Sequence, residues 1–336
     1  LRCTCPESGY LADDILGITG ATSRRLDEKL CLLTSDKAFA RSGEILDGLL
    51  GVKLASETVR LVSERHAARM TAWQKSESAS KTTFARAEGE FELAIDAGKV
   101  NTLETGWRDL KIAVAQIRPL AETATPEQWQ TRELPAATAR VMWADIAMAS
   151  TFRRHWAPRL KRLGLKSAAN LHVIGDGATW IWKSAQLALT GCRQTLDVYH
   201  AFEHIADAGK KLFGEATPKM ATFFERGREL LVSEGWQGIC RLVGEQYQRE
   251  MTPGERLVLE DMTRYFMANL KRLDYAANLK EGRAIGSGVV EGAAKTLGLR
   301  LKARGARWKL KNARNMANMV CLRQGPEWAA YWDAVA

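Results

Sequence analysis

The chain has 336 residues, 46% of them hydrophobic, with 49 Lys and Arg against 39 Asp and Glu for a formal net charge of +10. That content suits a sizeable core and about two domains, and no apolar run approaches the roughly 18 residues of a membrane span. A pI near 9.4 favours an anionic partner, nucleic acid before others, although a merely basic soluble protein has the same balance.

No secretory signal is visible. The six scattered cysteines (Cys3, Cys5, Cys31, Cys192, Cys240, Cys321) do not form a disulfide framework in a chain this long, so a reducing cytosol is expected. The first residue is Leu1, as in a fragment or a processed form. Cys3 and Cys5 would be half of a zinc knuckle at most, and bound zinc is not expected.

Residues 36–50 carry Phe39, Ile45, Leu46, Leu49 and Leu50 at helical spacing, with Gly51 as a stop. Ser56 then caps a second helix presenting Glu57, Arg60, Glu64 and Arg65. The pair reads equally as a helix-turn-helix or as an ordinary helical hairpin. Residues 1–73 form this N-terminal region, and the polar stretch 74–90 reads as a linker.

Alternation then takes over. EFELAID (90–96) predicts a half-buried strand ending on Asp96, RDLKIAVAQIR (108–118) a partner strand, and residues 132–143 a third. A helix is predicted over 145–163, with Arg153, Arg154, Arg159, Lys161 and Arg162 at its basic end. NLHVIGD (170–176) is a nearly continuous apolar run, as an interior parallel strand would be. TWIWKSAQLAL predicts a helix, and RQTLDVYH (193–200) another strand. The succession gives an α/β fold, a mixed sheet flanked by helices. Residues 201–283 read as an all-helical insertion, AIGSGVVEG opens one more helix, and a last helix covers 311–323.

The apolar run at 170–176 ends on a lone carboxylate between Gly175 and Gly177. Asp96 ends another strand. Side by side, two such carboxylates repel unless cations separate them, and Mg²⁺ is the ion that suits oxygen ligands with a substrate phosphate. Glu291 is the candidate third ligand. It lies on a helical stripe with Ser287, Ala294 and Gly298, beside the apolar stripe Val290, Ala293, Leu297 and Leu301. Taken alone, each acid has a plainer reading: Glu291 pairs with Lys295, and the aspartates start turns. The glycines of both corners allow a backbone or a phosphate to approach.

IGDGATWIW, TLDVYHAFEH and IGSGVVEGAAKTLGLRLKARGARW resemble the DDE transposases of bacterial insertion sequences, of the ISKra type, over about residues 8–325. The resemblance implies an RNase H-like core, 91–200 and 284–336, interrupted by the helical insertion 201–283. It implies a catalytic and metal-binding triad of Asp96, Asp176 and Glu291 holding two Mg²⁺ ions, with Mn²⁺ able to substitute. The activity implied is cleavage of the element's ends and transfer of the freed 3′-hydroxyl into target DNA. The partners implied are double-stranded terminal repeats and target DNA, with a homo-oligomer assembled on them and a place in the bacterial cytoplasm at the nucleoid.

Lys295, Arg300, Lys302, Arg304, Arg307, Lys309, Lys311 and Arg314 lie in a tract without an acidic residue, suited to phosphate contact. Lys295, Arg300, Lys302, Arg304 and Arg307 of this tract make, with Arg60, the expected DNA-binding set, and Trp308 is either a stacking residue or core. Trp180 and Trp182 read as core beneath the site. His200 and His204, at i,i+4 spacing near Asp197 and Glu203, are either a metal-chelating pair or hydrogen-bonded residues of a strand-to-helix corner. Two rivals remain: a non-catalytic DNA-binding protein from a decayed or domesticated element, and a metal-dependent nuclease of the same fold.

Overall fold

A computed structural model describes residues 22–303 and 305–335. Helices α1 (Arg24–Thr34), α2 (Phe39–Leu50) and α3 (Ser56–Trp73) come first, followed by α4 (Ala79–Arg86). Three strands come next: β1 (Glu90–Thr102), β2 (Gly106–Arg118) and β3 (Ala139–Asp145). Then come α5 (Ala149–Arg153), α6 (Trp156–Arg162), β4 (Leu171–Gly175), α7 (Thr179–Ala188) and β5 (Arg193–Leu196). Five helices follow, α8 (Val198–Phe213), α9 (Pro218–Glu234), α10 (Trp236–Gln246), α11 (Pro253–Ala268) and α12 (Tyr275–Lys280). The chain closes on α13 (Gly288–Leu301), α14 (Leu310–Arg323) and α15 (Glu327–Ala334).

The sheet is mixed, in the order β3-β2-β1-β4-β5. β1, β2 and β3 pair antiparallel, while β4 and β5 run parallel to β1. This α/β architecture is compatible with an RNase H-like fold. β1 and β2 are a long hairpin, paired from Glu90↔Arg118 to Thr102↔Gly106, but β4 accompanies β1 only as far as Ile95↔Gly175. Asp96 is therefore not a strand end. It is the residue at which β1 loses its parallel neighbour while staying paired to β2.

Period-two alternation gives the sheet two apolar faces. Leu93, Ile95, Ala113, Ala115, Val141 and Val173 pack against α7, α8 and the helices after them. Ala94, Ile112, Val114 and Met142 pack against Val290, Ala293 and Leu297 of α13 and Met316, Ala317 and Val320 of α14. Asp96 follows Ala94 by two residues, so it belongs to the face that α13 covers.

Besides Asp96, four expectations change. Ser56 is the first residue of α3, whose N-cap position is Ala55, without a side-chain cap bond. The predicted helix over 145–163 is two short helices. Pro158 has no N–H to give the carbonyl of Arg154, so the helix restarts at Trp156, where proline stands in the first turn. The predicted strand 193–200 stops at Leu196, because the Asp197 side chain accepts from the N–H groups of Tyr199 and His200 and caps α8. The expected linker contains α4, whose buried Phe84 meets Phe91 with ring centroids 5.5 Å apart.

α1–α3 form a small trihelical unit around Leu30, Leu46, Val59 and Val62. It is seated on the body rather than free of it. His66 of α3 lies between Asp27 and Tyr331, at 2.9 Å from each, and Ala67 and Met70 enter the core beneath α14. Among the described residues no helix is long and apolar enough to cross a membrane. Cys31, Cys192, Cys240 and Cys321 are free thiols, whereas Cys3 and Cys5 lie outside the described residues.

Candidate functional site

The parallel registers decide which carboxylates meet. Ile95 pairs with Gly175, and Gly175 with Leu196. The next residue on each strand is an aspartate: Asp96, Asp176 and Asp197. Three acids therefore stand abreast just past the last parallel pairs of β1, β4 and β5, Asp176 and Asp197 at strand ends and Asp96 where β1 loses its parallel neighbour, the edge at which open α/β sheets place their ligands.

Their environments differ. Asp176 sits in the glycine corner, its Oδ1 accepting from the Ala178 N–H at 2.9 Å. Gly177 takes φ +89, and a Cβ there would come within 2.6 Å of the Tyr265 hydroxyl. The glycine is thus required twice over, by backbone conformation and by the approach of α11. Tyr265 donates to the Asp176 carbonyl at 3.4 Å and stacks on His204 at 3.5 Å. Asp96 accepts from the Ala97 N–H at 2.6 Å. Burial pushes its carboxyl above the usual aspartate range, and the charges of Asp176 and Asp197 add to the shift, against the Ala97 hydrogen bond and His200. Among the described residues, no lysine or arginine forms an ion pair with Asp96 or Asp176.

Asp197 has a different task. It is buried; Oδ1 takes the N–H groups of Tyr199 and His200, and Oδ2 takes the N–H and the hydroxyl of Ser287. All its evident acceptor directions are spent, so it ties the start of α13 to the sheet instead of offering oxygen to an ion. The sequence signal for this role is the capping pattern in LDVYH, an aspartate one residue before a helix.

Glu291 is exposed on α13, and no ion pair joins it to Lys295. It lies one turn beyond Ser287 on the same stripe, roughly 5–6 Å away between Cβ atoms. The Ser287–Asp197 bond therefore anchors the turn that carries it. The carboxylates of Asp96, Asp176 and Glu291 are not drawn into one compact cluster: a group of three potential ligands within 4.8 Å of one another occurs elsewhere, at Glu90, Glu92 and His172.

That second group lies at the opposite end of β1 and β4. Here the charges are already matched. Glu92 is ion-paired to Arg118 and accepts from Gln116 at 2.7 Å, while Glu90 accepts from Arg283 at 2.6 Å. His172 bonds Thr195 at 2.7 Å, and its other nitrogen stands 3.9 Å from Glu90, beyond hydrogen-bond range. Burial, with Arg193, Arg283 and Arg118 nearby, holds its pKa down at about 3, so the ring is neutral. The geometry would admit a metal, but the arginines supply the positive charge a metal would bring.

The histidine pair does not converge either. His200 Nδ1 meets Glu203 at 3.1 Å, whereas His204 stacks on Tyr265. Burial lowers the His200 pKa, but Asp197, Glu203, Asp176 and Asp96 outweigh it and raise the net value.

The basic set divides. Lys295, Lys302 and Arg307 are exposed, and Arg304 lies outside the described residues. Arg300 is a correction: it is 3% exposed, donates to the Thr34 carbonyl, and lies between Phe39 and Trp308 at 4.8 Å from each ring. It is a core residue joining α13 to the N-terminal helices, and no phosphate reaches it without opening that contact. Trp308 is likewise core. Arg60 is held between Glu57 and Glu64, which offsets its charge. Trp182 is buried as expected, under Arg272 at 4.4 Å, and Trp180 is half-buried beside Phe152 and Trp156.

No protein-family model matches the chain, and a search of the curated proteins finds no match. The functional reading rests on the residues above.

Proposed function

We propose that the chain is a DDE-type transposase, a metal-dependent polynucleotidyl transferase that cuts the ends of an insertion sequence and joins them to target DNA. The observation that carries this reading is that Asp96 and Asp176 follow the last parallel pair of two adjacent strands and, among the described residues, form no ion pair with a lysine or arginine. Carboxylates left so close in a protein of net charge +10 call for a cation from outside. Their oxygen donors suit Mg²⁺, with Mn²⁺ as a substitute. Bound metal would supply Lewis-acid stabilisation of the phosphoryl group and an activated hydroxyl.

The chain's own residues divide the remaining work. Asp96 and Asp176 hold the ions, and Glu291 completes the set by turning its exposed side chain toward them. Asp197 and Ser287 fix the helix from which Glu291 reaches. Lys295, Lys302 and Arg307 neutralise DNA phosphates, and the trihelical unit α1–α3 is the second DNA-facing element. Positioning and charge neutralisation are most of what phosphoryl transfer asks of a protein.

A strand-transfer assay with pre-cut ends in Mg²⁺ tests the reading. Joined product is expected from the wild type and none from Asp176→Ala; joining that survives in the variant refutes the site. The exposed position of Glu291, outside any compact ligand group, favours one second reading, a DNA-binding protein without catalysis. That protein would bind the same DNA and neither cut nor join it.

A further inference from the structure

Beside the aspartates lies an aromatic cluster that phosphoryl transfer does not use. Trp129, Tyr199, Phe202 and Phe224 converge on a cavity of about 440 Å³. Trp129 meets Tyr199 at 5.9 Å and Phe202 at 5.5 Å, and Phe202 meets Phe224 at 6.3 Å. Arg228 lies over Trp129, Phe202 and Phe224 at 5.8, 5.3 and 5.4 Å and is itself held by Glu225 at 2.8 Å. The cluster thus contains its own cation, and a second one would be repelled.

Tyr199 stands apart from the other three rings. Among the described residues no cation covers it, and the residue is 54% exposed. Trp129 and Phe202 hold it from behind. It is also joined to the candidate site: its N–H donates to Asp197 at 2.8 Å, and its ring lies where a Cβ on Gly286 would touch it at 3.1 Å. Gln130, exposed, and Glu203, also exposed, bring hydrogen-bonding groups to the cavity rim.

We propose that this cavity is a base-binding platform, on which an unpaired nucleobase of the DNA strand held at the aspartates stacks against Tyr199. The inference rests on the function proposed above and adds to it a residue that binds and positions the strand. A nucleobase is planar and neutral, so it suits a braced ring whose neighbouring cation place is taken. Its edge carries the donors and acceptors that Gln130 and Glu203 match. The volume lies within the range of small-ligand pockets. Asp197, which Tyr199 follows by two residues, stands beside Asp176 in the sheet register, so a strand engaged at Asp96 and Asp176 brings its neighbouring bases to this ring.

The test uses the full chain and an oligodeoxythymidine strand carrying one central 2-aminopurine, whose fluorescence falls on stacking. Wild type and Tyr199→Phe are expected to quench it. Tyr199→Ala should lose the quenching and bind roughly 5- to 100-fold more weakly, with an unchanged salt slope and an unchanged melting temperature. Quenching and affinity equal to wild type in Tyr199→Ala overturn the platform, as does a loss of self-association in that variant with DNA binding intact, which marks the patch as a contact between copies. If wild type cuts DNA in Mg²⁺ while Tyr199→Ala still quenches, only the platform fails. If wild type binds no DNA at all, the proposed function fails with it.

Discussion

The two ends of strands β1 and β4 carry the same kind of residue and solve the same problem differently. At the N-terminal end, Glu90 and Glu92 stand beside His172, and the protein supplies Arg118 and Arg283 against them. At the C-terminal end, Asp96 and Asp176 stand together with no arginine or lysine paired to them among the described residues. Burying a carboxylate costs several kcal/mol unless a cation or hydrogen bonds compensate. One end has that compensation built in. The other has one backbone N–H for each aspartate and no paired cation among the described residues, which is the difference the proposed function turns on.

Each prediction presses on that difference. The largest effect is expected at the end without paired cations, where Asp176→Ala should lower Mg²⁺-dependent strand joining by at least about 10³-fold, read in the strand-transfer assay. Removing an acid from the compensated end should instead damage the fold. Glu92→Ala leaves the guanidinium of Arg118 buried without its partner, at a cost of about 3–5 kcal/mol, measurable by urea denaturation.

The third prediction concerns protons. The folded pKa of His172, about 3, lies below its unfolded value of 6.5. The unfolded chain therefore takes up a proton first. The stability that this neutral ring contributes is full above pH 6.5 and drains as pH falls from 6.5 toward 3. In His172→Asn, the slope of unfolding free energy against pH in that window should flatten by about one proton; an unchanged slope would show that His172 is not buried neutral.

The fourth lies outside both clusters. Lys302→Ala with Arg307→Ala should weaken DNA binding across sequences and flatten the dependence of log K on log salt by up to about 2. Arg300→Ala, by contrast, should lower the melting temperature, because its guanidinium is packed between Phe39 and Trp308.

The smallest effect is a gain. The Asp96 carboxyl titrates above its unfolded value in the fold, so the stability tied to its proton is present at low pH and lost as pH rises through the folded pKa. Asp96→Asn should raise the metal-free melting temperature at pH 7 and abolish the further rise that Mg²⁺ gives the wild type. A fall in melting temperature without metal would mean that Asp96 is satisfied as it stands, and the contrast between the two ends would collapse.

Much of the architecture was legible because it is local. Alternation in EFELAID and RDLKIAVAQIR marked the hairpin, and the apolar run into Gly175 marked the interior strand carrying Asp176. The spacing of Val290, Ala293, Leu297 and Leu301 marked the buried stripe of α13. These are period and capping signals, set by neighbours within one or two turns. The extent of β1 past Asp96 was not legible, because that part of the strand exists only through its pairing with β2.

The sequence by itself determined that Asp176 stands in a glycine corner after an apolar strand and that Asp96 closes an alternating run, since backbone sterics and hydrophobic periodicity act within a few residues. Tertiary structure alone decided their roles. Asp197 became a tether because Ser287 arrives from a distant helix, and Glu92 became half of an ion pair because the antiparallel register brings Arg118 and Gln116 beside it. Arg300 left the basic surface because Phe39, from the other end of the chain, closes over it. A charge's role depends on which groups surround it in space, and only the fold fixes those neighbours.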